Sequence, residues 1–65
     1  MKLRGGKTYT VPNSSIKMYV IAVRHISDKG YIKFKGILSS LSGYVFETKN
    51  YKIDKKHINR WIETQ

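Results

Sequence analysis

From Lys7 onward the chain alternates, with Tyr9 and Val11 on one side and Thr8 and Thr10 on the other. A period of two predicts a short strand over 7–11. Pro12-Asn13-Ser14-Ser15 is turn chemistry. The strongest strand signal is 16–26, rich in β-branched and aromatic residues, with Val20, Ile21, Ala22 and Val23 apolar on both faces. Such a strand is central or bends between two sheets. Ser27-Asp28-Lys29-Gly30 predicts a tight hairpin loop, closed by Gly30 in the left-handed conformation. The partner strand, 31–38, alternates Ile32 and Phe34 against Lys33 and Lys35. Gly36 interrupts it, where a bulge or sharp bend is expected. After a loop over 39–43, a third long strand over 44–49 places Tyr44 and Phe46 inward and Val45 and Glu47 outward. Asn50 turns the chain, and Tyr51 to Ile53 is a brief strand.

The C-terminal segment, 54–63, reads as a short helix. Asp54 is a good N-cap, and Ile53 and Ile58 occupy the two positions of a hydrophobic staple. Ile58, Trp61 and Ile62 fall at i, i+3 and i+4 and share one face, so Trp61 is read as core. Lys55, Lys56, Asn59, Arg60 and Glu63 then face solvent. Residues 1–6 read as a flexible basic arm carrying Lys2 and Arg4, hinged at Gly5-Gly6 and continuing to Lys7.

The expected fold class is mainly β: a small, strongly bent antiparallel barrel over 7–65 with a short C-terminal helix. The order of elements resembles SH3-like barrels in outline, and no family motif accompanies the resemblance. The alternative is an open antiparallel sheet with one helix packed across it. A chain of 65 residues is one domain, and it buries only about 60% of its unfolded surface. With no Cys, neither disulfides nor a thiolate zinc site can reinforce it.

The hairpin pattern sharpens this expectation. A four-residue loop between Ile26 and Tyr31 pairs Ile26 with Tyr31, Arg24 with Lys33, and Ala22 with Lys35. The other set is His25 with Ile32, Val23 with Phe34, and Ile21 with Gly36. Directly opposite residues share a face, so the second set, with Tyr19 and Leu38, forms the core. The first set gathers Arg24, Lys33, Lys35 and Tyr31 outside. Arg24 beside Lys33 is unfavourable by up to about 1 kcal/mol unless an anion or an acid such as Glu47 relieves it.

Charge turns this geometry toward function. Thirteen Lys and Arg against four Asp and Glu give a net charge of +9, which opposes compaction and suits a polyanionic partner. Lysines beside an exposed aromatic are the pattern of sheet surfaces that bind nucleic acid. Arg24, Lys33 and Lys35 are therefore the expected phosphate contacts, with Tyr31 stacking on a base or sugar. The arm (Arg4, Lys7) and the helix (Lys55, Lys56, Arg60) are two further candidate surfaces. The helix is too short, and too alone, for a helix-turn-helix reader. The reading is a non-enzymatic protein contacting the phosphate backbone with weak sequence preference, DNA slightly favoured over RNA.

Enzyme chemistry finds no support. Asp28, Glu47, Asp54 and Glu63 are scattered, His25 and His57 lie in different elements, and no phosphate-loop motif occurs. No catalytic, metal or cofactor site is expected. The apolar run at 18–23 is far too short to span a bilayer. No apolar signal segment follows the basic N-terminus, so no membrane partner and a cytoplasmic setting are expected. The rival readings are a module docking on an acidic protein surface, and a homo-oligomer whose joined barrels enclose a ligand.

Overall fold

The computed structural model describes residues 3–64. The elements in chain order are β1 (Lys7–Thr10), β2 (Ile16–Ile26), β3 (Tyr31–Ser40), β4 (Val45–Asp54), α1 (Lys55–Ile58) and β5 (Ile62–Thr64). The strands form one antiparallel sheet in the order β4-β3-β2-β1-β5. The fold is mainly β, as the alternating segments predict.

The sheet does not close into a barrel. β4 and β5 are its two edges, and no ladder joins them among the described residues. β5 has three residues, all taken up in pairing Ile62–Thr64 with Thr10–Thr8. The expected helix over 54–63 is also shorter, a single turn ending at Ile58. Its N-cap is Asp54, whose carboxylate accepts from the Lys56 N–H at 3.0 Å. Past Asn59 the turn tightens, with the N–H of Arg60 on His57 O and that of Trp61 on Ile58 O, at 3.1 and 2.9 Å. The β-branched Ile62 and Thr64 then do better pairing the free edge of β1 than extending a helix. Ile62 is consequently exposed, while Ile58 and Trp61 are buried.

Three other expectations change. Tyr44 and Phe46 do not turn inward but are exposed at the β3–β4 tip, outside the core cluster. Asn50 does not turn the chain, because β4 runs unbroken from Val45 to Asp54. The part of the N-terminal arm that is described, residues 3–6, packs on the sheet; Lys2 lies outside the described residues. Leu3 is buried, and the Gly6 N–H donates to Val20 O at 2.7 Å. The Arg4 N–H donates to the hydroxyl of the fully buried Tyr9 at 2.8 Å, which satisfies that polar atom inside the core.

The β2–β3 register departs from the expected one in an orderly way. Ser27 N–H bonds Tyr31 O at 2.9 Å, so the loop spans only Asp28-Lys29-Gly30, with Gly30 at φ 104°. A left-handed third residue is the usual closure of such a loop. Ile26 therefore faces Ile32, and His25 faces Lys33. A bulge at Arg24 then restores the expected pairs Val23–Phe34 and Ala22–Lys35, and a second at Ile21 sets Val20 against Gly36. Each bulge adds one residue and flips the faces beyond it. Arg24 thus does not pair with Lys33. Met18 and Val20 take the core positions expected for Tyr19 and Ile21, which are about 40% exposed, and His25 is exposed as well.

The core holds Leu3, Tyr9, Met18, Val20, Ile32, Phe34, Ile58 and Trp61. Trp61 lies edge-on to Phe34 at 6.1 Å and tilted to Tyr9 at 6.3 Å. These contacts bring the chain beyond α1 onto the inner face of the sheet.

Candidate functional site

The outer face of β2–β3–β4 near the β2–β3 loop concentrates the cations. Lys33 stands between two cross-strand partners, His25 on β2 and Lys52 on β4. The next row is Ala22, Lys35 and Asn50, and on the other side Tyr31 faces Asp54. Tyr31 is the centre of this arrangement. The Lys52 Nζ lies 4.5 Å from its ring centroid and the Lys33 Nζ 5.9 Å, while the His25 ring is 6.1 Å away. Both ammonium groups are within cation–π range of one ring.

An open groove of about 490 Å³ borders this row, lined by Arg24, Lys33, Phe34, Asn50, Tyr51 and Lys52. Its lining has three cations and no carboxylate. Of the chain's acids, Asp54 lies on this face, opposite Tyr31 and two residues from Lys52, and the other three lie apart. Glu47 bridges Lys49 at 3.2 Å, Glu63 bridges Arg4 at 2.9 Å, Asp54 caps α1, and Asp28 sits in the hairpin loop. Glu47 pairs across to Leu38, so it does not relieve Lys33. Lys33 directly opposite Lys52 is the like-charge pair the site carries, at a cost of up to about 1 kcal/mol.

Of the residues singled out from sequence, Tyr31, Lys33 and Lys35 share this face. Arg24 reaches the groove from its bulge. Lys55 and Lys56 open α1, whose first N–H donates to Gly30 O at 2.8 Å, so they stand at the same end of the molecule. The others lie apart. The Arg4 guanidinium is engaged by both Glu63 oxygens, at 2.9 and 3.2 Å. That hydrogen bond, with the Glu63 charge, holds its pKa above the ordinary arginine value. Lys7 begins β1 opposite Val20. Arg60 borders a hollow of about 140 Å³ beside the β1–β2 turn, with Val11, Pro12, Asn13, His57 and Trp61.

Sequence reasoning missed Lys52 and His25. The signal for Lys52 was present. Once Asn50 is read as strand, Thr48, Asn50 and Lys52 alternate with Lys49, Tyr51 and Ile53, and Ile53 belongs opposite Ile32. That register carries Lys52 to Lys33. Among the described residues, no group of three or more His, Asp or Glu is placed to hold a metal ion. No protein-family model, curated protein or solved structure matches the chain.

Proposed function

We propose that this chain binds nucleic acid through its phosphate backbone, with weak sequence preference, using the outer face of β2–β3–β4. The observation that carries the reading is the pair Lys33 and Lys52, directly opposite each other and both over the Tyr31 ring. Two ammonium groups on adjacent strands, neither in a salt bridge among the described residues, are about 5 Å apart at the backbone, which suits consecutive oxygens of one phosphodiester strand. Lys35, Arg24, Lys55 and Lys56 extend the positive field along the strand's path. Tyr31, half-buried, presents its remaining face to a sugar or base. The order β4-β3-β2-β1-β5, the bulged β2 and the helical turn before β5 also support an SH3-like outline. That outline does not by itself choose a function.

The test is fluorescence anisotropy with labelled single-stranded DNA, duplex DNA and RNA at several salt concentrations. Lys33→Glu with Lys52→Glu is compared with a control, Lys7→Glu with Lys17→Glu, that makes the same change in net charge. The site double is expected to bind at least tenfold more weakly and to lower the salt slope by about 1.8 on duplex or 1.4 on single strands, two contacts' worth. Equal losses in both doubles would mean that attraction is spread over the whole surface. If the parent binds no nucleic acid even at low salt, the face passes to an acidic protein partner.

A further inference from the structure

The opposite end of the same sheet has the reverse character. Between Lys35 and Glu47 the chain has no charged residue, although its net charge is +9. The β3–β4 tip exposes Leu41, Tyr44, Val45 and Phe46 by 54, 68, 58 and 52%. The Tyr44 and Phe46 rings meet edge-on at 5.4 Å, and Gly43 just before them in the chain has φ 97°. Val45 through Asn50 are all exposed, and among the described residues no strand pairs with the outer side of β4. An uncharged tip offers no ion pair to a phosphate backbone. A strand edge with unpaired N–H and C=O groups is a template for another strand.

The side chains of β4 say which strand. Two copies of β4 pairing antiparallel are related by a two-fold axis normal to the sheet. That axis keeps each face on its own side, so a residue can meet only one an even number of positions away. An axis at Glu47 or at Lys49 sets a charge against itself. An axis at Thr48 sets Glu47 against Lys49 of the second copy, twice. In that register Phe46–Asn50 pair, and the tip residues Tyr44 and Val45 lie alongside the Tyr51–Lys52 stretch of the other copy. Phe46 is the bulge residue between the pairs Leu38–Glu47 and Ser39–Val45. It therefore limits the regular ladder at the tip side and leaves the central pairs intact.

We infer that the chain forms a two-fold dimer through β4, with Thr48 on the axis, making one continuous ten-stranded sheet. The charge of the two copies does not forbid it. Lys52 lies four residues from Thr48, roughly 13 Å along the strand, so the two Lys52 side chains are about 26 Å apart, beyond the screening length of about 8 Å. The dimer does not depend on nucleic-acid binding. If both hold, the two basic rows lie on the same side of the joined sheet.

The experiment is sedimentation equilibrium on nucleic-acid-free protein over a range of concentrations, with circular dichroism confirming that each variant is folded. The Glu47–Lys49 bridge within one copy is exposed, so its loss should leave the fold unchanged. The parent is expected to form a dimer. Glu47→Lys alone and Lys49→Glu alone should each weaken it roughly tenfold or more, because both place like charges opposite each other twice. These two variants shift net charge in opposite directions, so a general charge effect would separate them. The exchange of both residues, Glu47→Lys with Lys49→Glu, should restore the parent affinity. A parent that stays monomeric to about 1 mM, single variants that dimerise normally, an exchange that fails to recover, or assemblies larger than two would each overturn the inference. A monomeric parent that floats with phosphatidylcholine–phosphatidylserine vesicles, and loses this with Phe46→Ser, would assign the tip to lipid instead.

Discussion

The two ends of β3 carry similar side-chain patterns and meet opposite fates. Near the β2–β3 loop, Ile32 and Phe34 are buried while Lys33 remains in solvent. Beyond Gly36 the strand runs through Ile37 and Leu38 toward a tip where Leu41, Tyr44, Val45 and Phe46 are all exposed. The difference lies in what covers the inner face. Ile58 and Trp61 pack with Leu3, Tyr9 and Phe34 in one buried cluster, and Leu41, Tyr44, Val45 and Phe46 do not belong to it. Apolar character therefore means core at one end and unpartnered surface at the other. Along β3 and β4, Lys33, Lys35 and Lys52 lie at the covered end and 36–46 carries no charge, with Lys17 of β2 as the cation paired to Ser39 beside the tip.

The sharpest way to break this contrast is to truncate one large aromatic from each end. Trp61→Ala removes a ring that meets both Tyr9 and Phe34 and should cost about 3–5 kcal/mol. That is a large share of what a small domain has, so the variant is expected to be unfolded or nearly so at 25 °C. Phe46→Ala should change stability by no more than about 0.5 kcal/mol in the monomer. Urea denaturation of both at low protein concentration reads the difference. Similar losses would mean that the tip packs on the core in solution.

The same contrast explains how much was legible in the residues. Strand positions and the mainly β class follow from the alternation at Lys7–Thr10, Ile16–Ile26 and Tyr31–Leu38, and Asp54 announces its turn by its chemistry. Faces were harder. The bulges at Arg24 and Ile21 each add a residue that no polar pattern marks, and each reverses the faces beyond it. The alternation alone thus predicts Tyr19 and Ile21 inside, where Met18 and Val20 stand. The candidate site was half visible, because Tyr31, Lys33 and Lys35 follow from one strand's alternation alone. Lys52 required knowing that β4 passes through Asn50, and His25 required the second register shift. Trp61 was placed correctly in the core but on the wrong element, since its i+3 spacing from Ile58 also fits a turn leading into a strand.

Gly36 sharpens the boundary between the ends. It is buried opposite Val20, where the sheet's register changes. A Cβ there would lie 2.7 Å from Met18 Sδ, 2.9 Å from Tyr19 O and 3.2 Å from Phe34 Cε2. The methionine can move, but the Tyr19 carbonyl is backbone and can yield only if β2 shifts. Gly36→Ala should therefore destabilise by about 1–3 kcal/mol, less than Trp61→Ala and more than any substitution at the tip. A variant that melts with the parent would show that β2 and β3 slide apart there at little cost, and that the core is not tightly closed at its boundary.

Tyr51 gives a small effect and the most specific one. Its ring stacks on Phe34 at 5.5 Å and 24°, with the Lys49 Nζ 5.3 Å from its centroid. Its hydroxyl oxygen is buried with no hydrogen-bond partner among the described residues. Burial raises the phenol pKa above its ordinary value of 10.0, Lys49 opposes the shift and Glu47 adds to it. A phenol that holds its proton more tightly when folded contributes stability below the unfolded pKa and loses it as pH rises through the folded one. Tyr51→Phe keeps the stacked ring and removes both the unpaired hydroxyl and the titration. At pH 7 the variant should match the parent or gain up to about 1 kcal/mol, because a buried polar group without a partner is unfavourable. Above about pH 10 its stability should fall less steeply than the parent's. Denaturation midpoints across that range decide it. A variant less stable at pH 7, with the same alkaline slope as the parent, would show that the hydroxyl is bonded and solvated, and that the covered half of the sheet is open to water at Tyr51.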